Sequence, residues 1–398
     1  MTVVVTGMGF HGAPAANVAG FSDALQRGRG TFGWTRLPRT GRVLPAALYN
    51  GNVDAAPDRE RRLLRGRPPA MYASCASALE ALGSAGWKDR DCAIVVAGSN
   101  LHQAYIAAAY ERFLERPEYV NPRYAATFLD TTLVAAVSEL ASLGGIGLTA
   151  GGGMASGNVA LFQAWTLIRS GSARACLCIG AMTDFSELEL VAFTNIGALA
   201  LPPEDSDPEA ASNPFDTSSG GFTYGQSAAA VLLESAESAA ARGVTPLAEL
   251  AGASIVLDAN AGTEANAEGE AAAMRGAMAA AGISPGDVDY VNTHGTGTPT
   301  GDRVECTAIR DAVGTRAVLN ATKAITGHTV SAAGVVELVA TVLQINGRFV
   351  HPNPRLQSPV DETLRFAGRA SEPLAIDVAL SNSFSIGGFN TSVAVKRA

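Results

Sequence analysis

Met154-Ala-Ser-Gly-Asn-Val-Ala-Leu-Phe-Gln-Ala-Trp-Thr-Leu-Ile-Arg169 is the stretch on which the fold turns. Val159, Leu161, Phe162, Trp165, Leu167 and Ile168 run nearly all the way round a helix and leave no polar stripe of ordinary width. A helix apolar on every side is normally buried on every side. The segment after His328, running to about Ile345, repeats the pattern with Val335, Val336, Leu338, Val339, Val342 and Leu343, Glu337 being the main exception. Two such helices in a chain of 398 residues predict an enclosed helical layer.

Working outward, the order of elements is duplicated, the signature of an internal repeat. The β-rich run Thr2–Gly7 has its counterpart in Leu250–Leu257, and the helix Ala70–Gly86 with strand Cys92–Val96 in Glu268–Gly282 with Val288–Val291. The buried helix from Met154 leads to strand Ala175–Ile179, and the one after His328 to strand Asp377–Leu380. Strands alternating with helices imply parallel sheets. The expected fold is therefore α/β, with two similar halves, residues 1–240 and 241–398, and the central helices sandwiched between two sheets. The Pro/Asp/Glu/Ser stretch Leu201–Ser212 reads as a surface loop before the halves join.

Composition narrows the function. Hydrophobic residues make up 47% and charged residues 17%, enough for a large core. A net charge of -8 argues against nucleic-acid binding, which needs a basic footprint. The run Arg59 to Arg67 suits either an acidic carrier or a solvated helix start. The five cysteines (Cys75, Cys92, Cys176, Cys178, Cys306) form no Cys-x-x-Cys pair and no metal set with the five histidines. Odd, unframed cysteines fit a reducing compartment. The chain opens on a strand rather than a leader, and its apolar stretches fall short of about 20 uninterrupted residues, so a cytoplasmic protein outside the membrane is expected.

Three strings carry chemistry. Val291-Asn-Thr-His-Gly-Thr-Gly-Thr-Pro-Thr-Gly-Asp-Arg-Val-Glu305 sets a histidine at a strand end beside small residues and hydroxyls, as a narrow channel for a thin polar ligand needs. A Gly-rich turn around a core histidine fits that string equally well. Lys323-Ala-Ile-Thr-Gly-His328-Thr places two titratable groups at the start of the second buried helix, where pKa values are tuned. Asn382-Ser-Phe-Ser-Ile-Gly-Gly-Phe-Asn390 is a Gly-rich turn able to present backbone N–H groups.

Together and in this order, the strings resemble the active-site set of the β-ketoacyl synthases of fatty-acid and polyketide assembly, members of the thiolase-fold superfamily. The resemblance covers the whole chain, including Val3-Val-Val-Thr-Gly-Met-Gly9, Asn213-Pro-Phe-Asp216 and Ile168-Arg-Ser-Gly171. It implies a layered αβαβα architecture. It also implies that His294 and His328 polarise a malonyl thioester and stabilise its enolate, with Lys323 the family lysine and Glu305 the glutamate pairing near it. Thr296 and Thr298 match the threonines that contact the phosphopantetheine arm of an acyl carrier protein, which brings that group itself, so no resident cofactor is expected.

The departure lies at the nucleophile. Ala155-Ser-Gly157, with the spacing to Arg169-Ser-Gly171, puts Met154 where the family carries cysteine. A thioether has no proton to lose and cannot form a stable thioester. The family's gatekeeper phenylalanine is Ile386, preceded by Ser385, and Phe389 stands where threonine is usual. Ser219-Gly-Gly-Phe222 and Gly225-Gln-Ser-Ala228 replace the usual Arg-Asp-Gly-Phe and Gly-Glu-Gly-Ala. All five cysteines read as buried and structural. Within this family, cysteine-less members include chain-length factors, the non-catalytic subunits that pair with a cysteine-containing ketosynthase in type II polyketide synthases. That role, in a reducing, polyene-type system, is the expectation, with Gln103–Arg116 as a tunnel helix whose Ile106, Ala109, Tyr110 and Phe113 share one face. A malonyl-carrier-protein decarboxylase using His294 and His328, or a dead carrier-binding scaffold, are the alternatives. Family members specialised for decarboxylation usually carry glutamine at the Met154 position.

Overall fold

Both apolar helices lie at the centre of the protein, whose structure, a computed structural model, describes every residue except Asn52, Val53 and Ala55. Eleven strands join into one sheet: β1 Val3–Gly12, β2 Ala93–Ala97, β3 Gly147–Ala150, β4 Ala175–Gly180, β5 Ser227–Ser235, β6 Ala248–Leu257, β7 Tyr290–Asn292, β8 Val318–Asn320, β9 Arg365–Phe366, β10 Val378–Ser385 and β11 Phe389–Lys396. The helices that matter here are α1 Pro69–Ser84, α2 Gln103–Glu115, α3 Thr131–Ala141, α4 Ser156–Arg169, α5 Ala267–Ala281, α6 Pro299–Ala312 and α7 Ala333–Gly347.

The strand order is β9-β8-β7-β10-β11-β6-β1-β5-β4-β2-β3. From the middle outward, β1-β5-β4-β2-β3 is matched by β6-β11-β10-β7-β8, the mark of a duplicated unit. Two expectations need correction. The halves are not separate sheets, because β1 pairs antiparallel with β6 through Val4–Glu249 and Val5–Ala248. Nor are the strands all parallel. β2 runs parallel to β3 and β4, and β7 to β8 and β10, but β4–β5 and β10–β11 are antiparallel. For β10–β11 the reason is local: the short Ile386–Gly388 turn has no room for the crossover that parallel pairing needs.

Side chains alternate across each strand. On β2, Val95 faces the central helices while Ile94 and Val96 face outward, and on β4 Cys176 and Cys178 face inward while Leu177 and Ile179 face outward. Both faces are covered, which is why these strands read as unbroken apolar runs. Met71 and Leu82 of α1 with Leu133 and Val137 of α3 close one outer face, and Met274 of α5 with Ile309 of α6 closes the other. Leu161, Ile168, Leu338 and Val342 fill the middle, giving the expected αβαβα layering. At 18 residues, Val330–Gly347 is long and apolar enough to resemble a membrane span, but 83% of it is buried inside the protein. The two central helices touch at glycine: a Cβ on Gly157 would sit 2.6 Å from the Gly334 nitrogen.

Boundaries differ where turns intervene. α7 starts at Ala333, not beside His328, because Lys323–Thr326 forms a separate helical turn and Gly327, at φ 68°, breaks it. Arg59, Arg61 and Arg62 of the basic run lie on the short helix Asp58–Leu64 and Arg65 and Arg67 follow it; Arg61 pairs with Asp58, and Arg59 donates to the Glu139 carbonyl at 2.7 Å.

Candidate active site

His294 leaves the end of β7 in a loop held from behind by two buried carboxylates. Glu305 on α6 accepts the backbone N–H of His294 and of Gly295, each at 2.8 Å. Asp302, one helical turn earlier, accepts from Thr296 at 3.0 Å, from Gly297, and from Phe215 at 2.6 Å. Burial pushes Glu305 up to about 7 and Asp302 up to about 6, with the backbone donors pulling both down. Thr296 and Thr298 then face the cavity with their hydroxyls 2.8 Å apart.

Lys323 is buried and spends its donors on this loop: the His294 carbonyl at 2.5 Å, His294 Nδ1 at 3.3 Å and Glu337 Oε1 at 2.5 Å. This corrects the expected pairing, since the lysine's carboxylate is Glu337 on α7 and Glu305 binds backbone instead. Glu337 is the one charge on an otherwise apolar central helix, and that isolation was the available signal. Burial raises it to about 7 against the pull of Lys323.

A cation donating to His294 Nδ1 makes that nitrogen an acceptor, so the neutral ring carries its proton on Nε2. The same holds for His328. Its Nδ1 accepts the Val330 N–H at 3.1 Å, and its Nε2 is buried without a partner among the described residues. His328 is pinned through its backbone, donating to Thr223 O at 2.7 Å and accepting from Gly225 N at 3.0 Å. Both imidazoles are held well below their usual range, by burial first and then by the charge of Lys323. Their rings lie 5.5 Å apart at 82°, flanked by Phe384 and Phe222. The site is thus two neutral imidazoles, each with its proton on Nε2, lining a cavity of about 400 Å³.

Met154 lines that cavity from the opposite half, buried in the turn Gly153–Ala155 that leads into α4. Its backbone is clamped: Met154 N donates to Ser385 Oγ at 2.9 Å, and Met154 O accepts from Ser383 Oγ at 3.3 Å. Ile386 stands at the mouth, 46% exposed. Among the lining residues missed from sequence is a further carboxylate. Glu270 on α5 is buried with Oε2 unpartnered among the described residues, and burial, followed by the charges of Glu305, Asp258 and Asp302, raises it well above the ordinary range. Sitting inside an Ala-rich run, it gave no motif.

No cysteine substitutes for Met154. All five are free and buried, and burial raises Cys75 and Cys92 to about 12 and Cys176, Cys178 and Cys306 further. The proposed tunnel residues lie elsewhere. Ile106 and Ala109 on α2 are half-buried, Tyr110 is 60% and Phe113 43% exposed, and no residue of that helix is buried. Ala109 borders a separate hollow with Tyr105 and Tyr124, not the Met154 cavity.

The family model of the beta-ketoacyl synthase N-terminal domain matches residues 1–239, and that of the C-terminal domain residues 247–357. The chain belongs to the β-ketoacyl synthase family. Among its relatives, the polyketide biosynthesis malonyl-ACP decarboxylase PksF of Bacillus subtilis (strain 168) is 34% identical, covering 99% of this chain and 96% of the relative. Among solved structures, the ishigamide ketosynthase/chain length factor is 25% identical with a TM-score of 0.90, covering 100% of this chain and 99% of the other. A beta-ketoacyl synthase from Burkholderia phymatum STM815 is 27% identical with the same TM-score and coverage. The thiolase-like fold of this β-ketoacyl synthase family member thus brings His294, Lys323 and His328 together at a cavity that Met154 also lines.

Proposed function

We propose that the protein decarboxylates a malonyl thioester presented by an acyl carrier protein and releases the acetyl thioester. The observation that carries this reading is the pair of neutral imidazoles, His294 and His328, lining one cavity with the thioether of Met154. The malonyl thioester oxygen accepts from both donors. Loss of CO2 shifts the C–C bonding pair into the thioester as an enolate, whose oxygen the same donors stabilise; each preorganised donor of this kind contributes about 10²–10³ in rate. The carbon then takes a proton from water, and no bond to the protein forms or breaks. Thr296 and Thr298 offer hydroxyls to the pantetheine arm. This reading is set beside the chain-length factor, which nothing contradicts; its support is the meeting of His294, Lys323 and His328 at one cavity and a relative, matching nearly the whole chain, that is named for that reaction.

The test is direct. The purified protein is mixed with malonyl-loaded carrier protein in D2O and the carrier is read by mass. Acetyl carrier bearing one new deuterium in its methyl group is expected; malonyl carrier unchanged at the no-enzyme rate sinks the reading.

A second reading has its own support. The exposed Tyr110, Phe113 and Leu114 of α2 and the edge strand β3, preceded by exposed Ile146, suit pairing with a cysteine-containing ketosynthase, with this chain setting acyl length. Co-expression with such a subunit, followed by sizing and product analysis, tests it.

A further inference from the structure

Replacing a cysteine by methionine removes a nucleophile and leaves the rest of an acyl-transfer site untouched. The neighbourhood of Met154 has changed in a second place. Attack on a thioester turns its carbonyl oxygen into an alkoxide, and the backbone N–H of the attacking residue is a natural donor to it. Here that N–H is already taken: Met154 N donates to Ser385 Oγ at 2.9 Å, from a side chain that also lines the cavity. The hydroxyl fits only because residue 153 lacks a side chain, since a Cβ on Gly153 would lie 2.4 Å from Ser385 Oγ. Ser383, two residues back on β10, holds the following peptide of the same turn through Met154 O.

We propose that Ser385 is a specificity-determining residue that blocks acyl transfer independently of Met154, by occupying the oxyanion position at the Met154 amide. An arriving alkoxide finds the amide hydrogen already spent on the Ser385 oxygen and has to displace that side chain to reach it. The inference holds whether the protein is a decarboxylase or a chain-length subunit.

The experiment restores the thiol and asks whether that suffices. In M154C, acylation by a hexanoyl thioester of N-acetylcysteamine forms the bond between the Cys sulfur and the acyl carbon. It passes through the alkoxide and expels the N-acetylcysteamine thiolate, which takes up a proton. Intact mass follows the adduct, and alkylation by iodoacetamide, which develops no oxyanion, is measured in parallel. M154C is expected to alkylate readily yet acylate slowly. M154C/S385A is expected to acylate about 10²-fold faster at an unchanged alkylation rate, with M154C/S385G behaving alike should alanine disturb the turn. M154C/S385T, which keeps the hydroxyl, stays slow. Equal acylation of M154C and M154C/S385A overturns the proposal, whether both are fast or both slow. So does a parallel rise in alkylation, which would reduce Ser385 to an obstacle to access. A wild-type protein inactive toward malonyl carrier would sink the decarboxylase reading and leave this result standing.

Discussion

The two halves place the same structural feature, the turn before a buried central helix, on opposite walls of one cavity, and they have treated it oppositely. In the N-terminal half the turn at Met154 presents a thioether, and its amide is bonded to Ser385. In the C-terminal half the turn at His328 uses the imidazole Nδ1 to accept the Val330 N–H and leaves Nε2 buried without a partner among the described residues, on a ring that lines the cavity. On the proposed reading, one turn is closed for chemistry and the other is set for it. Each is stable for the same reason: a buried backbone N–H must find an acceptor, and either a hydroxyl or an imidazole serves. Stability therefore does not choose between them, and the reaction can be lost from one wall without loosening the other.

The largest effect that would break this contrast is expected at Lys323. It ties the His294 loop to α7 through a fully buried ion pair with Glu337. Lys323→Ala leaves a buried carboxylate unpaired and should cost about 3–5 kcal/mol, read by urea unfolding. A loss under 1 kcal/mol would mean that the pair does not hold the C-terminal wall together. Next comes the asymmetry of the walls themselves. His328→Ala should slow decarboxylation about 10²–10³-fold, whereas Met154→Ala should change it by less than about tenfold. Equal losses from the two variants would erase the distinction drawn here.

A pH measurement sharpens the picture of a C-terminal half built on neutral imidazoles. His351, fully buried between Thr322 and the Pro352 carbonyl, is lowered from 6.5 to about 4 by burial. A depressed imidazole contributes stability that is complete above pH 6.5 and is lost as pH falls through 4, because the unfolded chain binds the proton first. The loss specific to His351 is on the order of 3 kcal/mol. His351→Gln should flatten the wild-type profile over that window in calorimetric or denaturant scans. Parallel profiles for the two proteins would show that this ring is not held neutral.

The smallest effect concerns the exposed helix α2. If its aromatic face meets a partner subunit across a tunnel, Ala109→Phe shortens the product and leaves the complex intact. If the face is packed interface core, the added bulk costs roughly 1–3 kcal/mol of assembly. Product length and sizing chromatography together decide, and no change in either removes α2 from both roles.

What the sequence by itself determined was whatever depends on local period and on chemical type. The all-round apolar runs after Met154 and His328 announced buried helices, and the repeated order of elements announced two related halves, because burial on every side erases the polar stripe wherever it occurs. The motif strings placed His294, Lys323, His328, Thr296 and Thr298 in one site, and the missing thiol at residue 154 was visible directly. What only tertiary structure decided was which groups meet. Lys323 could have paired with Glu305 or Glu337 on charge alone. It takes Glu337 because α7 passes beneath the His294 loop, while Glu305 is spent on that loop's own N–H groups. Glu270 reaches the cavity from a helix with no motif, and Ser385 reaches the Met154 amide across 231 positions of chain. A hydrogen bond depends on position to within a few tenths of an ångström, and no one-dimensional pattern carries that distance between residues so far apart.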